Sequence, residues 1–234
     1  MRGTPKQAEL GVLRQVCQGR GERTRQRLIE VAVEVFGERG FDGADTRTIV
    51  DQAGTNLVSI LYYFGSKEGL YLASADYVGR RVAEKFVPIC QWAKDSLEHS
   101  PSGRGDILVL YGRFMGGVAR TILGENSPSF WGRFVGREQF DPSSAASILW
   151  QHFEPLFSLS LEFVSRLTGS AVHTPHAILQ NLTVFAMVKC SCVDSVCIAK
   201  AMSWTNFGEK EISVIEDTLV ANIRALFSPS RYGV

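Results

Sequence analysis

The chain has 234 residues, 45% of them hydrophobic and 21% charged, which excludes disorder as its main state and leaves room for one large domain or two modest ones. A net charge of +1, taken whole, argues for neither a nucleic-acid binder nor a binder of acidic ligands. The average hides an asymmetry. Residues 1–27 carry seven basic side chains against two acidic ones, a local +5 that leaves the remainder at −4, and this points to one end meeting a polyanion.

In chain order, residues 1–21 are expected to form a flexible basic arm. Leu28, Ala32, Val35 and Phe36 then recur at helical spacing, and Gly40-Phe41 suits a C-terminal cap. Asp45 caps a second short helix that ends at Ala53-Gly54, and Asn56 caps a third over residues 57–64. Ser66 caps a fourth, expected to reach about Lys94, with Glu68 at its positive dipole end. Ser100-Pro101-Ser102-Gly103 separates it from a helix over Arg104 to Leu123, and Asn126-Ser127-Pro128 opens another near Trp131. Asp141-Pro142 is expected to start a helix reaching Leu167, kinked where Pro155 leaves the Gln151 carbonyl without its donor. Thr174-Pro175 starts a helix through about Lys200, and the last runs from Glu209 to Phe227 along an apolar stripe. The reading is all-α: about nine helices, of which the first three form a small N-terminal domain over residues 22–70. Residues 71–230 form a larger helical one.

A helix, a tight glycine turn and a second short helix near one end of a helical protein form a helix-turn-helix, which places its second helix in a major groove. Thr55, Asn56, Leu57 and Ser59 open that helix and are placed to approach base edges or phosphates. Tyr62, Tyr63 and Lys67 lie where the chain leaves the groove, and their hydroxyl and ammonium groups suit phosphate oxygens. Thr46 and Arg47, in the first turn of the preceding helix, would reach the other side of the groove.

The stretch TRQRLIEVAVEVFGERGFDGADTRTIVDQAGTNLVSILYYFGSKEGLYLA, Thr24 to Ala73, resembles the DNA-binding domain of the TetR family of bacterial transcription regulators. The resemblance is carried by Thr24 and Arg25, Phe36, Gly40-Phe41, Arg47, Ile49, Ala53-Gly54, Tyr63-Phe64, Ser66-Lys67-Glu68 and Leu70. Thr55, Val50, Val58 and Leu61 depart from the residues common in the family, and Leu61 removes a phosphate-binding hydroxyl for which Tyr62 can substitute. GREQFDPSSAASILWQHFEPL, Gly136 to Leu156, is similar to the CecR-like subgroup in Arg137, Glu138, Gln139, Pro142 and Pro155. The resemblance implies homodimerisation, an operator of double-stranded DNA, a ligand cavity in the C-terminal domain and links to drug sensitivity and efflux genes.

For that cavity the candidates are Trp92, Tyr111, Phe114, Trp131, Phe134, Arg137, Trp150, Gln151, His152 and Phe153: aromatic surface with a few polar handles near Pro155. The effector expected is small and hydrophobic or amphipathic. Arg133, Glu138 and Gln139 are further candidates for orienting it. The last two helices, paired with their copies, would give a two-fold four-helix bundle, and a dimer would set two recognition helices about 34 Å apart. The expected function is a ligand-released repressor. An activator, or a DNA-bound protein whose C-terminal domain docks another protein, is the alternative.

No Gly-rich phosphate loop, nucleophile elbow or metal-spaced cluster suggests an enzyme or a cofactor. His173 and His176 read as helix-terminal polar residues, and Cys190, Cys192 and Cys197 as buried thiols. No membrane span is expected, nor a signal peptide. Five cysteines without framework spacing fit a reducing cytoplasm.

Overall fold

The computed structural model describes residues 5–99, 103–123, 129–193, 200–205 and 208–228, with backbone alone for 5–20, 129 and 191–193. Among the described residues the fold is all-α, without strands, and has nine helices of eight residues or more. These are α1 (Pro5–Gly43), α2 (Thr46–Ala53), α3 (Leu57–Phe64), α4 (Lys67–His99), α5 (Arg104–Leu123), α6 (Ser129–Phe140), α7 (Ser144–Thr168), α8 (Pro175–Val193) and α9 (Glu209–Phe227). Residues 1–4 of the expected arm lie outside the description. From Pro5 the backbone is helical and continuous with α1. Two compact units form, Met1–Arg81 with Pro128–His152 and Val82–Ser127 with Phe153–Val234. Compactness therefore divides the chain differently from the expected boundary at residue 70. The first turns of α4, all of α6 and the start of α7 pack with the three N-terminal helices.

In the first unit, α1 packs against α2 and α6. Leu28, Ala32, Val35 and Phe36, read from spacing, are all buried, with Ile29 and Val33 beside them. Gly40 interrupts α1 at φ 75°, a left-handed conformation that glycine adopts without strain, and Phe41 returns to stack on Phe36 and to meet Tyr71 edge-on. α7 begins at Ser144 rather than at Pro142. Ser143 caps it instead of Asp141, its Oγ accepting the Ala145 N–H at 3.1 Å. From there α7 runs through Pro155 to Thr168 as one helix, and α4 likewise contains Pro88.

The second unit is built on α5, packed against α9 and α8. Glycines on α5 allow the close approach: a Cβ at Gly112 would stand 3.2 Å from Val220, and one at Gly117 only 2.6 Å from the Ile89 side chain. Arg120 on α5 grips Glu216 through Nε and Nη2 at 2.7 and 2.5 Å and also donates to Glu209, fixing the register of α9. In the core, Tyr111 and Phe114 stack on Phe163 at 5.2 and 5.5 Å.

A polar chain threads this core. The Tyr111 hydroxyl meets Ser160 Oγ at 2.9 Å, and Ser160 donates to Asn181 Oδ1 at 2.6 Å. Asn181 in turn donates to the Phe157 carbonyl at 3.2 Å, so α5, α7 and α8 are joined by buried groups that satisfy one another. Burial pushes the Tyr111 phenol well above its ordinary value, only partly offset by its hydrogen bond with Ser160. Because the folded-state value is raised, the stability this phenol contributes is complete below about pH 10 and is lost as pH climbs beyond it. Urea unfolding across the alkaline range is expected to show a steep fall in stability, and Tyr111→Phe a shallower one.

Candidate nucleic-acid interface

The turn between α2 and α3 is set by local chemistry. Asp45, extended at φ −92° and ψ 126°, accepts the Arg47 N–H on Oδ1 at 3.0 Å. Gly54 is left-handed at φ 67°, its N–H bonds to the Asp51 carbonyl, and the Thr55 N–H reaches back to Val50 at 2.9 Å. That pair of bonds is a Schellman motif, which ends α2 and turns the chain by a fixed angle. A Cβ at Gly54 would meet nothing within 4 Å, so the glycine is required by its backbone conformation rather than by space. Asn56 then caps α3, its Oδ1 accepting the Ser59 N–H at 3.1 Å. Gly65 at φ 76° ends α3, and Ser66 Oγ caps α4 by accepting the Gly69 N–H at 3.0 Å.

One tie was not read from the sequence. Arg27 on α1 donates from Nε to the Ala53 carbonyl at 3.1 Å and from Nη2 to that of Gln52 at 3.4 Å. It caps the negative end of α2 across 26 residues of sequence and fixes the turn to α1.

The residues expected to meet DNA fall on this framework as follows. Arg47, Asn56, Leu57 and Tyr62 are exposed, and Thr46, Thr55, Ser59, Tyr63 and Lys67 are half-buried. Tyr62 and Tyr63 meet edge to face at 4.8 Å. The Lys67 ammonium sits over the Phe41 ring at 4.8 Å, at the start of α4. Of the two short helices, α3 is the more exposed, with Ile60 its one buried residue, compared with Ile49, Val50 and Ala53 on α2.

The ten effector candidates divide between the two units. In the second, Tyr111 and Phe114 are fully buried, Phe153 packs against the core, and Trp92 lies under Arg113 at 4.8 Å. In the first, Trp131 and Phe134 are buried near Tyr77 and Tyr71, while Trp150 and Gln151 face solvent from α7. His152 bonds Asp76 at 2.9 Å and packs so closely on Gly79 that a Cβ there would come within 2.4 Å of its ring. A depression of about 880 Å³ opens in the first unit beside Phe41, Glu68, Phe140 and Asp141; among the ten, Arg137 lines it.

Arg137 and Glu138 are occupied with helix ends. Arg137 donates to the Glu38 carbonyl at 2.8 Å and to that of Gly37 at 3.3 Å, capping α1 ahead of its break at Gly40. Glu138 is buried and accepts three bonds: the Tyr71 hydroxyl at 2.5 Å, the Ser143 N–H at 3.0 Å and the Ser143 hydroxyl at 2.8 Å. Burial, then this carboxylate, pushes the Tyr71 phenol far above its ordinary value, so it remains a donor. The pair thus ties α6 to α1, α4 and the start of α7. Cys190 is exposed rather than buried, and the side chains of Cys192 and Cys197 lie outside the description. Among the described residues no group of His, Cys, Asp and Glu is placed to hold a metal ion, and no helix is long and apolar enough to cross a membrane.

Two capped short helices about a Schellman turn, held on a longer helix and joined to a second helical unit, define a helix-turn-helix DNA-binding protein. Comparison with known proteins gives the lineage. Residues 28–74 match the family model described as bacterial regulatory proteins, tetR family, and residues 109–228 that of the HTH-type transcriptional dual regulator CecR, C-terminal domain. The chain belongs to the TetR family of transcriptional regulators, within its CecR branch.

Among its relatives, the HTH-type transcriptional dual regulator CecR of Shigella flexneri is 29% identical over 205 residues, covering 87% of this chain and 91% of that one. The regulatory protein RaaS of Mycobacterium tuberculosis is 41% identical over 56 residues, 24% of this chain and 26% of its own. In fold, a TetR-like transcriptional regulator from Rhodococcus sp. RHA1 superposes with a TM-score of 0.56 at 19% identity, over 88% of this chain and 97% of that one. The hemolysin II transcriptional regulator HlyIIR gives 0.55 at 19% identity, over 86% and 98%.

Glu138→Ala leaves the Tyr71 hydroxyl and both Ser143 donors without their acceptor, and is expected to lower the free energy of unfolding by about 3 kcal/mol. Glu138→Gln, which keeps a carbonyl acceptor, should lose less, as read by chemical denaturation of the two variants.

Proposed function

We propose that the chain binds a palindromic operator as a homodimer, represses transcription there, and is released when a small hydrophobic or amphipathic molecule binds its C-terminal domain. The observation that carries the DNA half is the exposed α3, presented by a turn whose geometry is closed by its own hydrogen bonds. Membership of a family of transcriptional regulators supports the same reading.

The dimer is supported by surface chemistry. On α8, Leu179, Leu182, Ala186 and Cys190 are exposed at i, i+3, i+7 and i+11. On α9, Val214, Thr218, Ala221 and Ala225 form a second exposed strip at similar spacing. Both strips are small or apolar, and apposing them with their copies gives a four-helix interface. An isologous contact of this kind also supplies the two-fold symmetry a palindrome demands.

For release, the relevant element is α4, which begins at Lys67 beside the helix-turn-helix and continues into the second unit. An effector that prefers one course of α4 shifts the population of α3 positions by the free energy of that preference. The C-terminal match to the CecR branch supports placing the sensing function there, in a cytoplasmic protein.

The decisive experiment measures binding of the full-length chain to DNA flanking its own gene at modest salt. Saturable binding by a species of twice the 25.9 kDa chain mass is expected, and Arg47→Ala should weaken it about tenfold. Absence of binding there, or binding unaffected by Arg47→Ala, overturns the operator reading. Leu182→Glu, which buries charge in the apposed strips, is expected to yield monomers in sedimentation and to abolish tight binding with them.

A further inference from the structure

The exposed face of α3 is apolar. Leu57, Val58, Leu61 and Tyr62 are 42, 69, 62 and 79% exposed, and their spacing of i, i+1, i+4 and i+5 puts them on one side of an eight-residue helix. Ile60, on the opposite side, is buried. A contiguous apolar face turned to water calls for a partner.

The polar side chains beside this face are turned on one another. Ser59 Oγ donates to Asn56 Oδ1 at 3.3 Å, and the same oxygen receives the Ser59 N–H at 3.1 Å. With its single proton so placed, Ser59 Oγ accepts from the Thr55 hydroxyl at 2.7 Å. Both hydroxyl protons and the amide oxygen are therefore committed to the start of α3. Redirecting them toward a base would open the cap, a loss of about 1 kcal/mol before any contact is gained. Between Asn56 and the Tyr62 hydroxyl, the outward surface consists of Leu57, Val58 and Leu61, with Val58 and Leu61 the more exposed.

The edges of the base pairs in a major groove are donors and acceptors, with one apolar group among them, the C5-methyl of thymine. A valine or leucine pressed on any other edge strips water from a polar group and returns nothing. Pressed on a methyl, it buries apolar surface on both sides. We propose that Val58 and Leu61 read thymine methyl groups, so that each operator half-site carries thymines selected by apolar contact rather than by hydrogen bonding. This rests on the operator-binding reading above and names what α3 recognises.

The test separates the two. The full-length chain is used to enrich duplexes from a random pool, and each thymine of the enriched sequence is then replaced by deoxyuridine, which removes the methyl and leaves every hydrogen-bonding group in place. Two positions in each half-site are expected to weaken binding about fourfold per methyl. Val58→Ala should abolish the penalty at one of them and Leu61→Ala at the other, with the salt dependence unchanged because no phosphate contact is lost. Enrichment followed by no penalty above twofold at any thymine overturns this proposal alone, as do penalties that persist in both variants. No enrichment over the starting pool overturns the operator reading as well. Both variants alter exposed side chains, and the base-side substitution leaves the protein untouched, so misfolding cannot mimic either result.

Discussion

The carbonyls at the C-terminal ends of helices have no partner within their own helix, and in an all-helical protein something else must supply donors for them. Here arginines do so across long stretches of sequence. Arg27 caps α2 at Gln52 and Ala53, and Arg137 caps α1 at Gly37 and Glu38. Within the second unit, Arg104 at the start of α5 donates to the Phe227 carbonyl at 2.6 Å, and Arg166 on α7 donates to that of Leu97 at 3.1 Å. Each guanidinium brings a positive charge to the negative end of a helix, with donors arranged to meet a carbonyl squarely. The placement of α2, and through the Schellman turn of α3, follows from the first of these contacts, and the docking of α6 on α1 from the second.

This explains which parts of the fold were legible in the sequence. Asp45, Gly54, Asn56 and Ser66 act within two to five residues, so a sequence contains all that is needed to assign them, and the limits of α2 and α3 and the start of α4 follow. Arg137 acts about 100 residues away, on carbonyls that every residue possesses. Nothing in its neighbours distinguishes such an arginine from one that orients a ligand. The start of α7 shows the same effect in miniature. Asp141-Pro142 has the local form of a helix start, yet the buried Glu138 holds Ser143, and the helix begins one residue beyond it.

The effector candidates illustrate a second limit. Aromatic content reports how much surface a domain must bury, and Tyr111, Phe114 and Phe134 are buried as that argument requires. It does not report with which helices each ring is buried. Trp131 and Phe134 pack with the helix-turn-helix unit because α6 is held there by Arg137 and Glu138, whereas Tyr111 and Phe114 belong to α5 in the other unit. A single list drawn from residues 92–153 therefore spans two cores. The Arg-Glu stretch that marks the resemblance to the CecR branch owes its position in this chain to those helix ends.

Charge and recognition then fit together. The chain as a whole carries only +1, and residues 1–70 hold ten basic and nine acidic side chains, so attraction to phosphates in bulk is weak. On the proposed reading, affinity must come from a few well-placed groups, with Arg47 free of the cap that uses its backbone N–H and Tyr62 standing clear of α3. An apolar strip between them adds nothing at a non-specific site, where it meets polar edges and loses, and contributes only where methyl groups face it. Weak general attraction combined with a reader that penalises wrong sequences lowers the floor of non-specific binding as much as it raises the peak. The ratio of the two, rather than affinity alone, decides occupancy of an operator among the competing sites of a genome. On the same proposed reading, doubling the reader in a dimer squares that ratio, so that the proposed pairing of the exposed strips on α8 and α9 would serve specificity as well as assembly.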